Sequence, residues 1–422
     1  MRQYAPHVAG SDLDVVVFGA TGVTGRRVAA YLAEQSASTG LRWGAAARDA
    51  DKLERVLGED GVEPPVSIAA DVGDPESLRV MAERARVVLN LVGPYTLYGR
   101  PVIEACVAGG AHYADLTGEI PFVRRMVDAF HDRASAAGVK VVQVCGFEAL
   151  PADLGVAMAA GTARERHGEE ITEVDLRIAL ANPPGIPRVN DFISGGTFQS
   201  LAEAAGDADA ACITDPAALV ADQELAASIR AVSPITVRPR RAADGSVLAP
   251  MAPAAFINPA VIHRSRVLAD APPIRYREGT TMGGSPASLP FRYAAAGALA
   301  GLQGAVGALA RSSPAVRGRV SGGLKRVLPS SGFGPDADRL EGWRWTLTAD
   351  ALTTGGHTVT VTADGDGHPG YLATARMLGE AGALLAEEGA TPDAAGCLTP
   401  AAALGTESVA RFERARLRFA VR

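Results

Sequence analysis

Short apolar runs alternate with amphipathic helical segments through the N-terminal part of the chain. The runs that read as strands are 13–18, 41–47, 66–70, 87–92, 112–116 and 139–144. Helical patterns separate them, and one of these, at 74–77, opens with an Asp cap followed by Pro. This alternation predicts an α/β domain with a doubly wound parallel sheet.

The regular alternation stops near residue 151. Strand-like patterns then appear at 172–181, 235–238, 343–348 and 357–363, which predicts an α+β second domain with a mostly antiparallel sheet. A Gly-, Pro- and Ser-rich stretch at 312–335 is expected to be a loop insertion. We therefore expect three parts: 1–150 for dinucleotide binding, 151–370 for substrate, and 371–422 as C-terminal helices that pack back on the first part.

A glycine-rich turn follows the first predicted strand. Gly19 allows a sharp exit from the strand, Gly22 allows a pyrophosphate to approach the backbone, and Gly25 allows close helix packing. Strand, turn and helix in this order indicate a dinucleotide site of the Rossmann type. The candidate residues of the turn are Gly19, Ala20, Thr21, Gly22, Thr24 and Gly25.

The end of the second strand distinguishes the two dinucleotides. Arg48 lies there, with Lys52 one helical turn further on, and a basic residue suits a 2′-phosphate. Asp49 keeps NAD as the alternative, but the pattern favours NADPH. Asp71, at the tip of the third strand, is expected near the adenine amino group.

The nicotinamide is expected where loops leave the carboxyl ends of the later strands. Gly93, Pro94 and Tyr95 follow the fourth strand, and two further loops, at 118–119 and 146–148, project to the same edge. Each of these loops could instead serve the fold alone.

Several classes are excluded or disfavoured. No lysine has a tyrosine four residues before it, so the Tyr-x-x-x-Lys mechanism of short-chain reductases is excluded. The histidine spacing supports no metal site, and a net charge of −6 without a dense basic block argues against nucleic acid. Four dispersed cysteines and an N-terminus without an apolar signal segment suit a cytoplasmic protein.

The uncharged stretch 293–310 approaches the length of a membrane span but is rich in Ala and Gly. It is expected to be a buried or surface-covering helix. The alternative is a helix that contacts a membrane surface, which would place the protein peripherally at the inner face of the plasma membrane.

Segments across nearly the whole chain resemble the saccharopine dehydrogenase-like oxidoreductases, and within them the actinobacterial trans-acting enoyl reductases. The longer ones are FGATGVTG at 18–25, NLVGPY at 90–95, HYADLTGE at 112–119, CGFEALPADLG at 145–155 and GCLTPA at 396–401. The chain departs from the family at Glu148 and Ala149, where Asp-Ser is usual, and at Ala152, where serine is common.

The resemblance implies an NADPH-dependent oxidoreductase that reduces a C=C bond of an acyl or polyketide thioester carried by a polyketide synthase in lipid biosynthesis. The cofactor residues it implies include Gly93 and Pro94. Enoyl reduction needs a proton donor, and Tyr95 is the first candidate, with Tyr98, Tyr113 and Glu119 as further ones. Backbone donors to the substrate are expected from Gly195, Gly196 and Thr197.

Two other functions stay open. A saccharopine-type amino-acid dehydrogenase would need cations for two substrate carboxylates. Those cations could be Arg177, Arg188, Arg275 and Arg277. The other alternative is a non-catalytic module that binds NADP or associates with a membrane.

Overall fold

The computed structural model describes residues 11–181, 200, 203–204, 206–242, 244–250, 254–283, 288–327 and 339–422. Its first sheet contains the six predicted strands. They are β1 (Leu13–Phe18), β2 (Trp43–Ala47), β3 (Ser67–Ala69), β4 (Ala85–Asn90), β5 (His112–Asp115) and β6 (Lys140–Val142). A seventh strand, β13 (Gly396–Leu398), pairs with β6 and was not predicted.

The strand order of this sheet is β13-β6-β5-β4-β1-β2-β3, and all neighbours are parallel. The predicted doubly wound parallel sheet is confirmed. The order reverses beside β1, so the crevice for a ligand opens between the carboxyl ends of β1 and β4.

Helices connect these strands. They are α1 (Val23–Thr39), α2 (Ala50–Gly58), α3 (Pro75–Arg84), α4 (Tyr95–Gly109) and α5 (Ile120–Ala136). Local sequence explains their ends: Asp49 and Asp74 accept backbone N–H groups at the starts of α2 and α3. Gly40, in the left-handed conformation, ends α1.

The second sheet has the order β14-β12-β11-β7-β10-β9-β8. Its strands are β7 (Ile171–Ala181), β8 (Arg240–Arg241), β9 (Val247–Ala249), β10 (Arg275–Met282), β11 (Arg344–Thr353), β12 (Thr358–Asp366) and β14 (Leu417–Val421). Only the pair β7–β10 is parallel among these described strands, so the predicted mostly antiparallel sheet is confirmed.

Two local predictions in this region were wrong. Residues 235–238 form no strand, because Pro234 and Pro239 flank them and proline cannot donate to a sheet ladder. The stretch 312–335, expected as a loop, contains a helix at Pro314–Val327. Ser313 and Pro314 start this helix, and the carbonyl of Ser313 accepts the amides of residues 316 and 317. Residues 328–338 lie outside the described part.

The remaining described helices fill the spaces between and around the sheets. They are α6 (Leu150–His167), α7 (Gln223–Val232), α8 (Asn258–Leu268), α9 (Leu289–Ala310), α10 (Pro314–Val327), α11 (Thr374–Ala386) and α12 (Pro400–Leu404). Helix α6 packs on β11 and β12, and α11 packs on α1 and β4. The C-terminal segment therefore serves both sheets, since β13 joins the first and β14 the second.

One apolar core joins the two sheets. Val15 and Leu89 of the first sheet, Leu378 of α11, and Leu176 and Leu347 of the second sheet belong to the same buried cluster. The first sheet is thus joined to the second, through the helices between them, by apolar packing, which is the main stabilising force in folding.

Glu380, on α11, is a buried charged residue beside this core. Its buried carboxylate accepts the Tyr31 hydroxyl at 2.5 Å and pairs with Arg411 at 3.0 Å. Glu380→Ala leaves both donors without this acceptor, so we expect the free energy of unfolding to fall by about 3 kcal/mol. Urea denaturation measures it. The exposed Glu388→Ala is the matched control, and equal stability of the two variants would contradict the assignment.

Candidate active site

The glycine turn is built by close packing of its own backbone. Gly19 has φ +88°, and a Cβ there would lie 2.9 Å from Val92 Cγ2 on the loop after β4. A Cβ on Gly25 would overlap the carbonyl oxygen of Gly19. Both glycines are therefore required for the turn itself, which brings the start of α1 to the carboxyl end of β1.

Gly22 has a different environment. A Cβ there would meet only the Gly19 carbonyl oxygen, at 3.4 Å, so space remains in front of the first turn of α1. That turn carries no acidic residue, so the positive end of the helix dipole is not neutralised there by a carboxylate. Open backbone at a positive helix end fits the pyrophosphate of a dinucleotide. Thr21 and Thr24 flank Gly22 and are half-buried, whereas Ala20 is buried.

Arg48 and Lys52 lie at the predicted ribose end. Both are exposed just beyond β2. Asp49, which kept NAD as an alternative, accepts the amide of Lys52 at 2.9 Å and caps α2. Asp71 is half-buried, and its carboxylate accepts the Gly73 amide at 2.8 Å in the turn beyond β3. The arrangement fits a 2′-phosphate better than a free 2′-hydroxyl, because the basic groups are accessible and Asp49 is engaged in the cap.

Glu119 holds the loop that contains Gly93 and Pro94. Its carboxylate accepts the amides of Tyr95 at 2.9 Å and Thr96 at 2.7 Å, and it is 1% exposed. It thereby caps α4 from the neighbouring strand connection. These contacts indicate a positioning role for Glu119, whereas the sequence suggested it as a proton donor.

The three tyrosines predicted as proton donors differ in their exposure to solvent. The Tyr95 hydroxyl donates to the Asn90 carbonyl at 3.2 Å and accepts the Leu116 amide at 3.3 Å, and burial raises its pKa well above the usual value. Tyr113 is fully buried. Tyr98 is 38% exposed on α4, so it is the most accessible of the tyrosine candidates.

Asp115 is the buried centre of this edge and was not singled out from the sequence. Its carboxylate accepts the Tyr113 hydroxyl at 2.8 Å and the amides of Thr117 at 3.0 Å and Val144 at 3.1 Å. Burial raises its pKa to about 7, despite these hydrogen bonds. The available signal was an acidic residue ending an apolar strand.

The loop after β6 connects the cofactor edge to the rest of the protein. The Phe147 amide donates to Thr374 Oγ1 at 3.0 Å, and its ring packs edge-on against Trp345 of the second sheet. Glu148 is half-buried, and burial raises the pKa of its carboxyl. This junction lies at the edge of the sheet where the nicotinamide is expected, so Glu148 is an acid of that edge.

A second buried acid lies on the second sheet. Glu278 of β10 accepts the Tyr276 hydroxyl at 2.7 Å and the Asn258 amide at 2.8 Å, and burial raises its pKa to about 7. Ile257, next to Asn258, contacts the loop after β5, since a Cβ on Gly118 would lie 2.9 Å from its Cδ1. Sequence reasoning missed this group because its members come from different elements.

The remaining candidate substrate-binding residues fall into two groups. Gly195, Gly196, Thr197 and Arg188 lie outside the described residues. Arg177 pairs with Asp244 and Asp350, and Arg275 and Arg277 pair with Glu173. Three of the cations suggested for a dicarboxylate substrate therefore already pair with carboxylates of the protein.

The profile of the saccharopine dehydrogenase NADP binding domain matches residues 15–142. Among solved structures, apo saccharopine dehydrogenase (L-Glu forming) from Saccharomyces cerevisiae has a TM-score of 0.54 at 12% identity, covering 97% of this chain and 100% of the other. Homospermidine synthase from Legionella pneumophila gives 0.51 at 9% identity, with 97% and 91% covered. Profile and fold together define a protein with an NADP-binding domain and the fold of the saccharopine dehydrogenases.

Curated relatives make the assignment more specific. Rv2449c of Mycobacterium tuberculosis (strain H37Rv), named provisionally as a trans-acting enoyl reductase, is 35% identical over 420 residues, with 96% of each chain covered. The trans-acting enoyl reductase of Mycobacterium bovis (strain BCG / Pasteur 1173P2) is 32% identical over 427 residues, again with 96% of each covered. The chain belongs to the family of the trans-acting enoyl reductases.

Arg48→Ala tests the choice of cofactor. Loss of charge-assisted hydrogen bonds to a 2′-phosphate is expected to weaken NADPH binding about 10- to 100-fold and to leave NADH binding unchanged. Fluorescence titration with each dinucleotide measures both constants. The control is Arg55→Ala, an exposed arginine on α2, the helix that follows Arg48. An equal loss for NADPH and NADH would mean that Arg48 makes no such contact.

Asp115→Asn tests the buried carboxyl. Because its pKa in the folded protein, about 7, exceeds the ordinary value of 3.8, the folded state binds more protons, and ionisation of Asp115 lowers stability as the pH rises between these values. Asparagine keeps an acceptor for the two amides but cannot ionise. We expect the variant to lose less stability than the wild type between pH 5 and 8, measured by urea denaturation at each pH. Parallel curves would refute the assignment.

Proposed function

We propose that this protein uses NADPH to reduce the C=C bond of an enoyl thioester that a separate polyketide synthase carries. The supporting observation is the match to trans-acting enoyl reductases over nearly the full chain, together with an open helix end beside Arg48. In this proposal residues 1–150 bind the cofactor, 151–370 receive the acyl thioester, and 371–422 pack against both parts.

Different residues around the crevice bind different parts of the cofactor. The backbone at Gly22, with Thr21 and Thr24, holds the pyrophosphate, and Arg48 with Lys52 holds the 2′-phosphate. NADPH, when bound, supplies a hydride for the β-carbon of the enoyl group. Gly93 and Pro94, fixed through the Glu119 cap, form the wall beside the nicotinamide.

The protein must also deliver a proton to the α-carbon of the substrate. We assign this proton to Glu148, because it lies on a loop of the edge where the nicotinamide is expected and burial raises the pKa of its carboxyl above the ordinary value. Tyr95 is tied to the backbone at both sides of its hydroxyl, and Glu119 caps α4. Both therefore act as positioning residues in this proposal, and Tyr98 is the alternative donor.

Glu148→Gln keeps the shape of the side chain and removes the proton. We expect kcat to fall about 10²- to 10⁴-fold with a long-chain 2-enoyl thioester, while NADPH binding is unchanged. In the wild type the rate should fall as pH rises through the pKa of this group, and the variant should lose that dependence. Absorbance of NADPH measures turnover.

The matched control is the exposed Glu165→Gln, and Tyr98→Phe is run in parallel. A large loss in Tyr98→Phe with normal turnover in Glu148→Gln would move the donor to Tyr98. Absence of turnover by the wild type, with coenzyme A and carrier-protein thioesters alike, would contradict the reductase proposal and favour a non-catalytic NADP-binding protein.

The saccharopine-type alternative has no comparable support. The described arginines that could bind two substrate carboxylates already form ion pairs on the second sheet. Releasing them would leave protein carboxylates without their cations, at an energetic cost. We therefore keep the enoyl thioester as the proposed substrate.

A further inference from the structure

The long helix α9 has its apolar side turned outward. Phe291 is 76% exposed and Leu302 61% exposed, whereas Gln303, a polar residue in the second half of the helix, is 3% exposed. The outward positions carry residues 290, 291, 293, 294, 297, 298, 301, 302, 305 and 308, which are Pro, Phe, Tyr, Ala, Gly and Leu. A helix on a protein surface in water normally shows the opposite pattern.

The other side of α9 is anchored. Its buried positions are Ala296, Gln303, Gly307 and Ala310, which recur at helical spacing. Ala296 packs into a small apolar cluster with Val247 and Ala249 of β9. By length and composition, α9 is the helix of the described chain that could cross a membrane, but this packing holds it along the second sheet.

The sequence segment that contains α9 carries charge of a single sign. The sequence has no acidic residue between Glu278 and Asp336, although the whole chain has a net charge of −6. The basic residues of that interval are Arg292, Arg311, Arg317, Arg319, Lys325 and Arg326. Of these, Arg311 and Arg319 are exposed at the junction of α9 and α10.

Helix α10 follows α9 after three residues and also exposes apolar side chains. Val316 is 44% exposed and Val320 38% exposed, on the same helix as Arg319. We name the exposed residues of both helices the α9–α10 surface. Exposed apolar side chains interspersed with arginines are what an anionic lipid surface attracts, because the rings and aliphatic groups enter the interface and the cations meet the headgroups.

We infer that the α9–α10 surface docks on an anionic lipid bilayer, with α9 lying in the plane of the interface. The length of α9 supports this occupant, since 22 residues present apolar groups over about 33 Å. A bilayer covers such an extended, shallow surface. A compact acidic protein would find mostly small side chains to contact there. This inference is independent of the proposed reaction.

Vesicle flotation tests the inference. The full chain is mixed with vesicles of phosphatidylcholine, or of phosphatidylcholine with an equal amount of phosphatidylglycerol, and centrifuged through a density gradient. We expect flotation with the anionic vesicles and much less with the zwitterionic ones, and added salt should reduce binding because it screens the charges.

Two double variants separate the apolar and charged contributions. Arg311→Gln with Arg319→Gln is expected to lower partitioning about 25-fold, since each basic residue contributes about fivefold. Phe291→Ser with Leu302→Ser is expected to abolish flotation. The matched controls are Val80→Ser, an exposed apolar residue on α3, and Arg166→Glu, an exposed arginine on α6, which should float like the wild type.

Circular dichroism and NADPH titration confirm that each variant is folded. A wild type that stays at the bottom with both vesicles overturns the inference. Equal flotation of wild type and both double variants overturns it as well. If Phe291→Ser with Leu302→Ser instead converts a dimer to a monomer in light scattering, without any flotation of the wild type, a second copy of the chain covers this surface.

Discussion

The buried carboxylate of Asp115 is the interaction on which the cofactor edge depends. It accepts hydrogen bonds from the Tyr113 hydroxyl of β5 and from backbone amides of the connections after β5 and β6. The Tyr113 hydroxyl in turn accepts a hydrogen bond from the side chain of Asn90 at the end of β4. Removing a carboxylate from water is costly unless hydrogen bonds replace the lost hydration. Those hydrogen bonds form only when three neighbouring strands end in register. The cost of burying the carboxylate therefore favours this one arrangement of the strand ends.

The Glu119 cap adds a second constraint to the same edge. Its carboxylate accepts hydrogen bonds from two backbone amides, and these fix the start of α4 relative to the connection after β5. The Tyr95 hydroxyl then lies between backbone groups of β4 and the connection after β5. Residues that sequence reasoning regards as acids and donors thus hold the loops in place.

Local pattern predicted the parts of the fold that are determined locally. The six apolar runs of the first sheet became strands, because each is long or apolar enough to be recognised alone. β13 and β14 were missed because their pairing comes from β6 and β12, far away in sequence. In the site, the glycine turn and Arg48 could be found from spacing, but Asp115 and the group around Glu278 depend on three-dimensional contacts that no spacing encodes.

The departure of this chain from its family at Glu148 and Ala149 is consistent with retained chemistry. The acid is kept, one methylene longer than aspartate, on the loop fixed by Phe147 and Thr374. Ala149 and Ala152 are buried, at 0% and 1% exposure, so serines there would bury hydroxyl groups that need partners. Replacing both with alanine removes that requirement and makes the wall of the loop more apolar. In the proposed reaction, such a change leaves Glu148 in place as the proton source.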